Sequence, residues 1–263
     1  MSVRARKRYG QHFLNDPSVI AKIIEAIDFN TTGNIVEIGP GRGALTRPLL
    51  EQTDLLHVVE IDNDLVEHLR DIENSQKLKI HHIDALDFDF CKSVGNNLTI
   101  IGNLPYNIST PLLFHLLDQI NCISNMLFML QKEVAERICA SPGNKDYGRL
   151  SIMVQCMCNA YSLFDVQPEA FTPIPKVQST IIKLVPANNP EFIPDSVDTF
   201  KRLVRQSFSK RRKTIRNALK GIVDDEILIA SDIDPNTRPE TIGVEGYIRL
   251  SNNLYNSAKV TNN

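Results

Sequence analysis

Thr99–Ser109, TIIGNLPYNIS, is an apolar run that ends in an amide, a proline and an aromatic ring, with Asn103, Leu104, Pro105 and Tyr106 in succession. Side by side, these types suit the exocyclic amine of a nucleobase. The lone pair of such an amine is delocalised into the ring, so the group is a poor nucleophile until something holds it. The Asn103 side-chain oxygen and the Leu104 carbonyl can each accept one of its hydrogens and turn the lone pair toward an electrophile. Pro105 has no N–H and a fixed φ, which shapes the turn that aims those acceptors. Tyr106 offers a face for the base, worth about 1–3 kcal/mol in stacking.

Three more apolar runs end in residues of this kind. NIVEIGPGRGALT closes on Glu37, Gly39, Gly41 and Gly43, where missing Cβ atoms let a ligand approach the backbone and the next helix N-terminus adds partial positive charge. LLHVVEID closes on Glu60, a carboxylate able to accept both hydroxyl protons of a ribose, with Asp62 ranked second. KLKIHHID closes on Asp84, suited to an adenine amino group, whereas Asp87 and Asp89 read as surface acids. Gly39-Pro-Gly41-Arg-Gly43-Ala44, with Glu60 lying 21 residues beyond Gly39, also fits a relaxed dinucleotide fingerprint, so a nicotinamide dehydrogenase is a rival. Asn-Leu-Pro-Tyr decides against it, because hydride transfer has no use for an amine clamp.

The elements that must position these residues alternate along the chain. Strands are predicted at Ile35–Ile38 and in LLHVVEID, KLKIHHID, LTIIGNLPY and NMLFMLQ. Helical patterns fall between and after them: one begins near Ala44, one in NDLVEHLRDIE sets Leu65, Leu69 and Ile72 on one face, and others run through TPLLFHLLDQI and KEVAERICA. The expected fold class is α/β, a Rossmann-like, mainly parallel sheet with helices on both faces and its ligand outside the C-terminal strand ends. SIMVQCMCNAYSLFDV has no assignable boundaries, and FTPIPKVQS leads into a strand at TIIKLVP. ANNPEFIPD, rich in Pro and Asn, reads as a linker between a domain over 1–187 and a small all-helical domain over 188–263. In the latter, Phe200, Leu203, Val204 and Phe208 form one stripe.

No apolar run approaches the roughly 20 residues of a membrane span, and MSVRARKRYGQHF lacks the apolar core of a signal peptide, so a cytoplasmic location with no membrane partner is expected. The cysteines, Cys91, Cys122, Cys139, Cys156 and Cys158, form no C-x-x-C pair, so reduced thiols and no metal site are expected. His81 and His82 are neighbours in a strand and so face opposite ways, which argues against joint ligation. The net charge of −2 suggests no anionic partner, but its distribution does. Arg4, Arg6, Lys7 and Arg8 open the chain, and KRLVRQSFSKRRKTIRNALK, which holds Arg211, Arg212, Lys213 and Arg216, contains no acid. Two such clusters fit nucleic-acid phosphates.

Six motifs in order extend over nearly the whole chain: GQHFLND (Gly10–Asp16), VEIGPGRGALT (Val36–Thr46), VVEID (Val58–Asp62), GNLPYNIS (Gly102–Ser109), FTPIPKVQS (Phe171–Ser179) and SKRRKTIRNAL (Ser209–Leu219). In these the sequence resembles the ribosomal RNA adenine N6-dimethyltransferases, and within them the bacterial type that dimethylates two adjacent adenosines near the 3′ end of small-subunit ribosomal RNA. The resemblance implies a class I methyltransferase core whose cofactor, S-adenosylmethionine, touches His12, Leu14, Gly39, Gly41, Glu60, Asp84 and Asn103. It further implies that Phe171 stacks on the target base opposite Tyr106. Arg4, Arg6, Lys7, Arg8, Arg211, Arg212, Lys213 and Arg216 would grip small-subunit ribosomal RNA within an immature particle, and the enzyme is expected to be a monomer. His12 stands where many members carry Asn, and Gln178 where an acid is common. The alternatives are a large-subunit ribosomal RNA adenine dimethyltransferase, which shares the core motifs, and a mainly non-catalytic assembly factor on the same fold.

Overall fold

Aliphatic and β-branched residues on both faces suit a sheet covered by helices on either side, and the apolar runs do form strands. The computed structural model describes residues 11–29, 33–187, 194–210 and 212–261. In chain order the elements are β1 (Phe13–Leu14), α1 (Pro17–Glu25), β2 (Asn34–Ile38), α2 (Thr46–Gln52), β3 (Leu56–Glu60), α3 (Asn63–Arg70), β4 (Leu78–His82), α4 (Phe90–Val94), β5 (Leu98–Asn103), α5 (Ser109–Leu117), β6 (Ile123–Gln131) and α6 (Lys132–Cys139). They continue with α7 (Arg149–Gln155), β7 (Cys158–Val166), β8 (Phe171–Thr172), β9 (Ser179–Pro186), α8 (Val197–Ser207), α9 (Ile215–Ala218), α10 (Asp225–Ala230) and α11 (Val244–Thr261).

Seven strands make one sheet in the order β4-β3-β2-β5-β6-β9-β7. From β4 through β6 every pairing is parallel, and β9 runs antiparallel to β6. The order reverses between β2 and β5, so the loops after these two strands leave in opposite directions and open a crevice at their C-terminal ends. Gly39 and Asn103 flank that crevice. A separate two-stranded sheet pairs β1 with β8, antiparallel, with Leu14 opposite Phe171 and Phe13 opposite Thr172. Asp16 caps α1 by accepting from the Ser18 and Val19 N–H groups, a contribution of about 1 kcal/mol.

The chain divides into two compact units, Met1–Ala135 with Tyr161–Pro186, and Glu136–Ala160 with Ala187–Asn263. Residues 136–160, expected in the larger domain, therefore group with the helical residues. The unassigned stretch begins with α7, whose Ile152, Met153 and Val154 are buried and which packs against α8. Most of the expected linker lies outside the described residues. The glycine turn extends beyond Ala44, so α2 starts at Thr46.

One expectation about the cysteines is corrected. Cys91 and Cys122 are joined in a disulfide with Cα atoms 5.5 Å apart. The Gln119 side-chain oxygen accepts from Phe90 N–H (2.7 Å), which brings α4 beside the turn before β6 and so aligns two cysteines 31 residues apart. Cys139, Cys156 and Cys158 are in no disulfide, and burial pushes Cys156 and Cys158 up to about 12.

His81 turns inward from β4 onto His57 of β3: the rings stack at 5.3 Å, with His57 Nδ1 3.0 Å from His81 Nε2. Burial lowers both, and His57 falls to about 4, helped by the His81 and Lys79 charges. The unfolded chain therefore takes up protons that the folded chain refuses, and stability drops as pH falls from about 6.5 to about 4. His57→Leu is expected to flatten this acid limb, read as the urea midpoint against pH; an unchanged slope would exclude the pair as its source.

Candidate active site

A cavity of about 260 Å³ opens at the crevice and is lined by the ends of β2, β3 and β5, the loop after β4, and the N-terminal segment 11–14. His12, Leu14, Gly39, Gly41, Glu60, Asp84, Asn103, Leu104, Pro105 and Tyr106 all line it. The parallel sheet is the reason: each strand releases its last residues on the same side.

Gly39 and Gly41 have φ of +65 and +56, values that L side chains rarely adopt. At Gly41 space is tight as well, because a Cβ would sit 3.1 Å from the Phe13 ring, which would have to give by a few tenths of an ångström. The Arg42 guanidinium covers the same ring, 4.4 Å from its centroid. Glu60 Oε1 accepts from the N–H groups of Ile61 (2.9 Å) and Asp62 (2.8 Å), which fixes the carboxylate at the cavity wall. Burial raises its pKa although these N–H groups oppose the shift. Asp62 is fully buried, accepts from Asp64 N–H to cap α3, and receives Gln11 Nε2 at 3.3 Å. Its side chain therefore serves the fold. Asp84 Oδ1 accepts from Leu86 N–H at 2.9 Å, and Asp89 caps α4 through Lys92 N–H.

Asn103 Nδ2 donates to the His12 carbonyl at 2.9 Å. Since a carbonyl only accepts, this bond defines the amide's orientation and makes Oδ1 the end able to accept from a ligand. The His12 backbone is thus engaged by Asn103, while its ring lies on Tyr106 (centroids 5.7 Å, 27°) and its Nδ1 donates to the Pro173 carbonyl at 2.7 Å. The Tyr106 hydroxyl is held by Ser179 Oγ at 2.8 Å.

Phe171 departs from expectation. It is 1% exposed, belongs to the core cluster with Leu14, Val166, Ala170 and Ile181, and is not among the residues lining the cavity. The pairing explains it: Leu14 and Phe171 are opposite partners, and the pleat sends both side chains into the core. Of the expected RNA contacts, Arg4, Arg6, Lys7, Arg8 and Arg211 lie outside the described residues. In the helical unit Arg212 and Lys213 are exposed, and Arg216 forms a two-pronged pair with Asp225 (2.8 and 2.7 Å).

Sequence reasoning missed Ile61 and Ile83, which line the cavity while substantially exposed. Their signal was available: each is an aliphatic residue beside a strand-end acid, Glu60 or Asp84. Glu37 and its partner Thr46, 2.7 Å apart, were missed as a pair.

A family model, ribosomal RNA adenine dimethylase, matches residues 2–256. The chain belongs to this family. The enzyme is 52% identical over 251 residues to the "Ribosomal RNA small subunit methyltransferase A" of Alcanivorax borkumensis, covering 95% of this chain and 90% of that one. It is 48% identical to the protein of the same name from Dechloromonas aromatica, covering 95% and 98%. Among solved structures it is similar to a dimethyladenosine transferase from Plasmodium falciparum, with a TM-score of 0.78, 26% identity and coverage of 91% and 96%. The 23S rRNA methyltransferase ErmE superposes with a TM-score of 0.72 at 23% identity, covering 92% and 99%, which speaks to fold alone.

The cofactor is S-adenosylmethionine, and the cavity's residues fit it. Gly39 has no heavy atom closer than 4.0 Å to where a Cβ would be, so its backbone is open to a ligand. Ile61 and Ile83 offer apolar surface for an adenine, and Glu60 an acceptor for a ribose.

Burial raises Glu37 to about 8, with the Glu60 charge adding to it and the Thr46 hydroxyl opposing it. Folding thus captures a proton between pH 4.5 and about 8, and this contribution to stability is lost as pH rises through that window. Glu37→Gln keeps an acceptor for Thr46 and carries no charge. In the ligand-free protein its urea midpoint is expected to gain on the parent between pH 5 and 8; parallel curves would refute a neutral Glu37.

Proposed function

We propose that this enzyme transfers methyl groups to the N6 of two adjacent adenosines near the 3′ end of small-subunit ribosomal RNA, acting as a monomer on an immature ribosomal particle in the cytoplasm. The observation that carries this reading is the oriented acceptor at the end of β5, Asn103 Oδ1, on a residue that lines, with Leu104, a cavity suited to the cofactor. Independent support comes from relatives at 48–52% identity whose names specify the small subunit. Among the described residues no helix is long and apolar enough to cross a membrane.

Bound in the cavity, S-adenosylmethionine supplies an electrophilic methyl on a positively charged sulfur. Glu60 would accept from the ribose hydroxyls, Asp84 from the adenine amino group, and Gly39, Gly41 and the His12–Leu14 segment would enclose the remainder. The target adenine lies on Tyr106. Its N6 hydrogens are shared between Asn103 Oδ1 and the Leu104 carbonyl, so the lone pair is drawn out of conjugation with the ring and turned into the cavity; as N6 gains the methyl, the methyl's bond to sulfur breaks and one N6 proton is released to water. A once-methylated amine retains one hydrogen, and one acceptor suffices to hold it for a second transfer. Positioning and electrostatics account for the chain's contribution, with no nucleophilic side chain in the scheme. Phe171 supports β1 from the core in this reading.

Asn103→Ala is expected to lower the transfer rate about 10²–10³-fold, as for loss of one oriented polar group at a reacting centre. Cofactor affinity by calorimetry should change much less; near-normal turnover would remove Asn103 from the clamp. Arg212 and Lys213 are assigned to RNA phosphates. Replacing both with Gln should reduce the slope of log affinity against log salt by about 1–2, and an unchanged slope would free them from that role.

A further inference from the structure

Residues 172–178 leave β8 beside the cavity and return to β9 under restraint at both ends. Asn15 Nδ2 donates to Thr172 Oγ1 (2.6 Å) and His12 Nδ1 to the Pro173 carbonyl (2.7 Å). At the far end Gln178 Nε2 donates to Gln167 Oε1 (2.8 Å), and the Gln178 carbonyl accepts from Lys132 N–H (3.0 Å). Between these anchors Ile174 is 64% exposed and Val177 44% exposed, with the exposed Lys176 preceding Val177. A single bare isoleucine is ordinary on a protein surface. This one follows Pro173, which holds His12, whose ring lies on Tyr106.

We propose that Ile174 is a wedge that enters the RNA stack where the target adenine leaves it, with Lys176 beside the adjoining phosphate. The inference rests on the reading that an adenine of a folded RNA is the substrate. To bring N6 to Asn103 and Leu104 the base must leave its neighbours, which exposes two apolar base faces to water. Apolar side chains inserted at such steps replace the lost contacts. The cavity itself compensates the base poorly: Tyr106 already carries His12 on one face, and Phe171 is buried in the core. An aliphatic side chain tethered to the Tyr106 platform and flanked by a cation has the chemistry and the placement to fill the gap.

The test uses unmethylated small ribosomal particles reconstituted with two 3′ RNA fragments. One is native; in the other the nucleotides flanking the target adenosine are abasic, so the target is already unstacked. Ile174→Ser should lower kcat/KM about tenfold on the native particle and return to within about twofold of the parent on the abasic one, because only the first demands extrusion. Ile174→Met, which retains apolar bulk, should keep native activity on both. Equal losses on the two particles, or none on the native one, would overturn the wedge. If the parent enzyme itself leaves the native particle unmethylated, the substrate reading falls and the wedge with it.

Discussion

The hydrogen bond from Asn103 Nδ2 to the His12 carbonyl joins the end of the central strand to the segment that roofs the cavity. It acts in two directions. Toward the ligand it turns the amide so that an oxygen is presented; toward the fold it seats a strand of only two residues, too short to hold its place by pairing alone. Phe13 against Gly41, Gln11 on Asp62 and Asn15 on Thr172 complete that seating. Cavity cover and the orientation of the Asn103 amide are therefore one structural device, so a disturbance of the His12 backbone reaches that amide directly.

The electrostatics of the cavity run against the stability of the empty protein. Glu37 and Glu60 are both buried, desolvation raises both, and the Glu60 charge makes ionisation of Glu37 harder while the Asp62 charge does the same to Glu60. A fold selected for stability alone would place neutral groups there. Retaining two acids in a desolvated site makes sense where a cationic ligand relieves them, and such perturbed groups commonly mark function.

Much of this was legible in the amino-acid order because a parallel sheet imposes a simple rule: apolar runs are strands, and the residue that closes each run faces the crevice at their C-terminal ends. Gly39, Glu60, Asp84 and Asn103 follow the rule in that all four line the cavity. Features that depend on pairing between distant segments were not legible. Phe171 is an aromatic in a loop-like motif, and only its register with Leu14 sends it inward. Cys91 and Cys122 meet because Gln119 bonds the start of α4, which no spacing reveals. His57 and His81 sit on neighbouring strands in a register the chain does not advertise. The helix α7 was obscured because its apolar residues are covered by α8, more than 40 positions later, so the amphipathic period is blurred locally.

The pairing of β1 with β8 also orders events in time. His12 contacts Pro173 across a separation of 161 residues, and Asn15 contacts Thr172 across 157. Chains fold as they emerge from the ribosome, and contacts between distant segments form late. The strand that closes the cavity is thus synthesised well over a hundred residues before its partner and must wait for it, the contacts between them spanning 157 and 161 positions. Until then the cavity's glycine turn and strand-end acids lack their roof, so a nascent chain truncated before residue 171 would carry most of the chemistry and no closed site.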